Sequence, residues 1–450
     1  AIDDKGQTIT SESIHKDNRT DKYYPAYRIR DTDEIWEKMY LASRKVMETI
    51  RPERVAGVTV TTFGVDGTLF SGDGKMLYPV VSWQCERTQQ IMQSIGKYIS
   101  PEELYGESGV LPYSFNTIYK MVWFLENRPE IIRKSHVFLF MPSIFIRLLT
   151  GEMINDTTMA GTSMMMNQHV RDYSDLVLGK TGIGRELMGP LGEPGTIAGT
   201  VRSKAAEETA IPAGTPVILT GHDTQFAIFG SGAGKNEPVL SSGTWEILMV
   251  RAGDFMAGPE QLDLGITTEL DSRPGLFNIG TQWIASGVIE WVRRNLYNDL
   301  GNDAFERMIE GAEKVAEGCR GVKVIPKFYE ERGIGPGGQI LGLTMESTRD
   351  EIFRAVLESL SRRLAEGRTA LENTGGFKAG SILCVGGGSR NRLWNKLRAR
   401  STGLPLRIIK QKETTVLGAS LFVQAACGNF SSPEDARSEI DYNIELVEPD

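Results

Sequence analysis

The chain has 450 residues, 40% of them hydrophobic and 24% charged, a balance that suits a globular protein with two or three separately cored domains. A formal net charge of −8 and no Lys/Arg run of five argue against nucleic acid binding by counterion release, and no apolar stretch reaches the roughly 18–20 residues of a membrane span. The four cysteines, Cys85, Cys319, Cys384 and Cys427, lack CxxC spacing, which argues against zinc or thioredoxin-like sites and predicts reduced thiols in a cytoplasmic protein.

At the start, Asp4-Lys5-Gly6 predicts a turn and Thr8 to Ile14 a weakly alternating strand, with its partner expected upstream of Ala1. Ile35, Met39, Ala42 and Val46 have helical spacing within 35–50. "VTVTTFG" is β-branched up to Gly64, and Asp73-Gly74 marks a hairpin turn. Helices are predicted near 114–127 and 142–149, with an irregular Met- and Thr-rich segment at 155–166. The apolar run Pro216 to Leu219 predicts a strand that stops at His222 and Asp223. Past Gly230 the pattern restarts, and "PVLSSGTWEILMV" reads as two strands around a Ser-Gly-Thr turn. Helices follow at 284–296 and 349–371. Then come strand "SILCV", a triple glycine, a helix at 391–400, strand "PLRIIK" and a closing helix at 415–426. Alternating strands and helices predict an α/β protein with mostly parallel sheets. The restart predicts two domains, 1–230 and 231–450.

Several of these positions have types suited to chemistry. Asp223 is expected at the carboxyl end of a buried strand, where α/β sheets bind ligands. A carboxylate there can take the proton of an attacking hydroxyl. The bland alternative is a helix N-cap, with His222 a structural imidazole. Asp66 can accept from sugar hydroxyls or simply close a turn. Arg87, in "SWQCERT" with Trp83, suits a sugar or an ordinary surface. Gly386, Gly387 and Gly388 leave bare backbone before a helix N-terminus, which is either a nucleotide cradle or a plain β–α turn. Ser242, Gly243 and Thr244 form a hairpin tip that favours anions, though such turns are common. "GSGAGK" at 230–235 is not a Walker A loop. Phe229 stands where the first Gly belongs, and Asn236 where Ser or Thr should be.

Taken together and in this order, these segments resemble the FGGY family of carbohydrate kinases over nearly the whole chain. Two stretches resemble the family signatures: "FNTIYKMVWFLEN", with Thr117, Lys120 and Trp123, and "GQILGLTMESTRDEIFRAVLE". The resemblance implies two actin-like (ribonuclease H-like) domains with a nucleotide/sugar cleft between them. It implies ATP and Mg2+, and a small-molecule ketose as acceptor, L-fuculose first and L-rhamnulose next. A non-catalytic sugar or nucleotide sensor on the same fold is the alternative from another class. By the resemblance, Asp223 is the general base toward the sugar's C1 hydroxyl. Gly64, Asp66, His222, Thr224 and Asn278 join Arg87 as sugar contacts. Thr244, Gly386, Gly387, Gly388 and Asn391 hold the nucleotide. The family's opening DxGxT-type hairpin, whose Asp helps hold magnesium, is not found, so that Asp is expected upstream of Ala1.

Overall fold

In the computed structural model, which describes residues 1–15, 19–21, 26–301, 303–328, 335, 337–410 and 413–449, the first ten residues already form a closed turn. Ile2 bridges Thr8, Gly6 adopts φ +74°, and Ile9 N–H donates to Ala1 O at 3.0 Å. The predicted turn at Asp4-Lys5-Gly6 is present, closed by the Ile2–Thr8 bridge.

Helix α1 (Thr32–Met47) starts where the Asp31 carboxylate accepts from Glu34 N–H at 3.0 Å, satisfying one of the helix's orphan donors. Strand β1 (Val58–Thr62) is Val or Thr at every position, which favours extended backbone. An antiparallel pair follows, β2 (Gly67–Phe70) with β3 (Val137–Phe140). Between them in the chain lies α2 (Thr117–Asn127), and α3 (Met141–Thr150) follows directly. Strands β4 (Ile197–Thr200) and β5 (Pro216–His222) complete a three-stranded sheet in the order β4-β5-β1, with β5 and β1 parallel. Helix α4 (Asp223–Gly230) closes this half.

A seven-stranded sheet organises the second half. Its members are β6 (Val239–Ser242), β7 (Trp245–Ala252), β8 (Thr267–Leu270), β9 (Phe277–Ile284), β10 (Ile382–Val385), β11 (Leu406–Ile409) and β12 (Ile444–Val447). They lie in the order β8-β9-β7-β6-β10-β11-β12. Only β6–β10 and β10–β11 are parallel; the other four ladders are antiparallel. The expectation of mostly parallel sheets is therefore wrong here. Gly243-Thr244 leaves no room for the crossover a parallel pair needs, whereas α7 (below) supplies one between β10 and β11. The helices are α5 (Ser286–Leu296), α6 (Arg349–Gly375), α7 (Arg392–Thr402) and α8 (Thr414–Ala426). Thr348 and Glu351 form a capping box at the start of α6. Phe353, Val356, Leu357, Leu360 and Leu364 along α6 are buried in the core of this half.

Two of the contacts between the halves are close. Helices α4 and α8 cross with main chain against main chain: a Cβ on Gly230 would lie 2.0 Å from Thr414 O, and one on Gly418 would lie 1.9 Å from Phe226 O. Strand β8 also reaches into the first half. Leu270 packs in the same core as Ile118 and Phe138, and Thr268 N–H donates to Gly109 O at 2.7 Å. Among the described residues no helix is long and apolar enough to cross a membrane.

Candidate active site

Strand β5 is buried through Val217, Ile218 and Leu219, and the chain turns into α4 where the burial ends. His222 occupies the N-cap position without a side-chain cap bond, so Asp223 is the first residue inside the helix and not its cap. The Asp223 carboxylate accepts from Thr224 N–H at 2.7 Å, and 39% of the side chain stays exposed. It borders a cavity of about 200 Å3 shared with Thr224, Ser241, Ile247, Val385 and Thr415. One carboxylate from the first half thus faces the hairpin and glycine-loop strands of the second. Burial pushes the Asp223 carboxyl above its ordinary range; the neighbouring His222 charge and Thr224 N–H oppose this without cancelling it.

His222 lies between two carboxylates. Its Nε2 is 3.5 Å from Asp223 Oδ1, and its Nδ1 is 3.3 Å from Glu269 Oε2 on β8. Gly64 passes close on one side, where a Cβ would approach His222 Nε2 to 3.1 Å. A side chain at that position would press on the imidazole.

Three of the expected sugar contacts, Asp66, Arg87 and Asn278, are buried. Asp66 is fully buried, with Lys120 Nζ at 2.6 Å and Arg30 Nε at 3.3 Å. Its acceptor capacity is spent inside the protein. Lys120 and Thr117 also donate to Val65 O, each at 2.9 Å, and hold Val65 at φ +64°, a strained conformation for a β-branched residue. Arg87 is buried among Tyr27, Tyr78 and Trp123, with Nη1 donating to the Tyr78 hydroxyl at 3.1 Å. Burying a charge is tolerated there because the buried Asp21 carboxylate lies 3.7 Å from Nη2 and aromatic rings flank the guanidinium. Asn278 is buried on β9, donating to Gln225 and, at 3.0 Å, to Asp271. It supports the site from behind. Trp83 is 42% exposed, edge-on to Phe115.

On the nucleotide-expected side, Gly386 adopts φ +93° beside Ser242, and a Cβ on Gly388 would lie 2.1 Å from Ser242 Oγ. The triple glycine and the hairpin tip therefore touch. Gly386, Gly387 and Thr244 are exposed. Asn391 caps α7, accepting from Trp394 N–H at 3.0 Å. Ser242, expected to offer its hydroxyl outward, points inward to Arg398 Nη2 at 2.5 Å and Glu246 Oε1 at 3.1 Å. Strand alternation explains it: Leu240 and Ser242 face the core, while Val239 and Ser241 line the cavity. That alternation is readable in "VLSS" and would have found Ser241. No sequence signal pairs Glu269 with His222. Among the described residues no group of three or more His, Cys, Asp or Glu could hold a metal ion. Among the described residues there is no magnesium cage.

Two α/β halves share a cavity that Asp223 borders from the first half and Ser241 and Val385 from the second. The chain belongs to the FGGY family of carbohydrate kinases: the profile of the family's N-terminal domain matches residues 1–230 and that of its C-terminal domain residues 239–427. It is 41% identical to an L-fuculokinase of Salmonella typhi, covering 100% of this chain and 94% of that one. It is 43% identical to an L-fuculokinase of Escherichia coli K12, covering 93% and 87%. A rhamnulokinase of Bacteroides thetaiotaomicron is 25% identical, covering 94% and 88%. Among solved structures, a Plasmodium falciparum glycerol kinase with ADP has the same fold with a TM-score of 0.88, at 18% identity, covering 100% of this chain and 91% of that one.

Proposed function

We propose that the chain transfers the terminal phosphoryl group of ATP to the C1 hydroxyl of L-fuculose, giving L-fuculose 1-phosphate and ADP. The observation that carries this reading is the position of Asp223, half-exposed on the wall of the cavity it shares with Ser241 and Val385. The similarity to L-fuculokinases supports the choice of sugar. In this reading residues 1–230 hold the sugar and 231–450 the nucleotide. Asp223 takes the hydroxyl proton as the sugar oxygen bonds to phosphorus and the bridging oxygen leaves with ADP. Such a base contributes about 10²–10⁴-fold. Thr224 steadies the carboxylate. Gly64 keeps His222 close to the acceptor. Bare N–H groups at Gly386 and Gly387 and the exposed Thr244 offer donors to phosphate oxygens.

L-Rhamnulose differs from L-fuculose only in hydroxyl stereochemistry and is the competing acceptor. Sugar-dependent ADP release should give the highest kcat/KM with L-fuculose in a panel containing L-rhamnulose and D-xylulose. A higher value for another ketose overturns the substrate. No sugar-dependent release with any ketose overturns the kinase reading and favours a sensor.

A further inference from the structure

His222 is anchored by its backbone and flanked by carboxylates on both ring nitrogens. Its backbone N–H donates to Thr158 Oγ1 at 3.1 Å, and its side chain is only 13% exposed. Glu269, 3.3 Å from Nδ1, comes from the other half of the molecule. The same Oε2 accepts from Gln225 Nε2 at 2.6 Å. Glu269 cannot drift, because its neighbours Thr268 and Leu270 are fixed to the first half by the Gly109 hydrogen bond and by core packing. Three carboxylates face the imidazole: Glu269 from β8, Asp223 from α4, and Asp156 from the segment beneath Gly221.

We propose that Glu269 is a positioning residue for the reaction: it holds His222 as a cation against Asp223 and thereby sets the pH below which the base stops working. This rests on Asp223 being the base. Burial pushes His222 down, but Glu269, then Asp223, more than offset it, and the imidazole holds its proton above its ordinary range. On Asp223, the His222 charge is the foremost influence opposing burial, whereas the direct push from Glu269 comes last. Losing Glu269 therefore acts on Asp223 mainly through a discharged His222. Asp223 then binds its proton more tightly, and activity fails at a higher pH.

The test is the pH profile of kcat/KM for L-fuculose in the wild type, Glu269→Gln and Glu269→Asp, with an NMR titration of the His222 imidazole in each. Glu269→Gln should move the acid limb up by about one unit, roughly a tenfold loss at the acid end of the profile, with a small change on the alkaline plateau. The His222 midpoint should fall. Glu269→Asp should move both in the same direction by less, and it serves alone if the Gln variant does not fold. A uniform loss at every pH, or an unmoved His222 midpoint, overturns the proposal. A wild type inactive on every ketose overturns the kinase reading, while the imidazole titration still decides the Glu269–His222 coupling.

Discussion

On the first-half side of the cleft, Asp66 and Lys120 are fully buried and hold Val65 in a strained conformation beneath Gly64. On the second-half side, Arg398 and Glu246 are fully buried and hold Ser242 beneath the triple glycine. Both walls keep an ion pair one layer below the surface, yet they present different surfaces. The first shows side chains, His222 and Asp223, tuned by each other. The second shows backbone, with Gly387 meeting nothing within 4 Å of a Cβ position. Buried pairs of this kind are weak evidence of net stability, but breaking one is costly. Here both shape the loop above them.

The largest expected effect separates chemistry from support. Asp223→Asn should lower sugar phosphorylation by about 10²–10⁴-fold while leaving ADP affinity nearly intact by calorimetry. Full activity in that variant removes the base from the comparison. Next, Lys120→Met leaves Asp66 buried with only Arg30, and should cost about 3–5 kcal/mol in urea unfolding. Lys120→Met with Asp66→Asn should recover much of that loss. If the single variant costs nothing, the pair does not support the Gly64 loop.

A third test uses Asp156, which packs under Gly221. Burial pushes its carboxyl up to about 6 from an ordinary 3.8. Between these values the folded chain holds a proton that the unfolded chain has lost. Stability therefore falls as pH rises through this window, and the loss is complete above about pH 6. Asp156→Asn should flatten that fall, worth about 3 kcal/mol for two units, in unfolding curves from pH 4 to pH 7. The smallest effects lie on the backbone side. Gly388→Ala pushes a methyl group against Ser242 Oγ and should destabilise the fold by about 1–3 kcal/mol, the usual cost of overpacking. Gly387→Ala has open space, so it should leave stability unchanged. Any loss of ADP affinity it causes is then due to the occupant.

The sequence was most readable where periodicity and punctuation agree. The capped α6, the "VLSSGTWEILMV" hairpin and the strand–glycine–helix unit at 382–402 all follow from local pattern. The parallel-sheet expectation failed because alternation of element types does not reveal which connections are hairpins. Site residues on one continuous segment, such as His222-Asp223-Thr224, were locatable. The burial of Asp66 and Asn278 was not legible because their partners, Lys120 and Gln225, lie 54 and 53 residues away in the chain. Glu269 was invisible for the same reason.

The crossing of α4 and α8 bears on all of this. Gly230 ends the same eight-residue helix that Asp223 begins, about 10 Å away at 1.5 Å per residue. A lever this short transmits any tilt at its far end directly to the carboxylate. Crowding Gly418 with even a methyl group should thus register first as a misaimed proton acceptor.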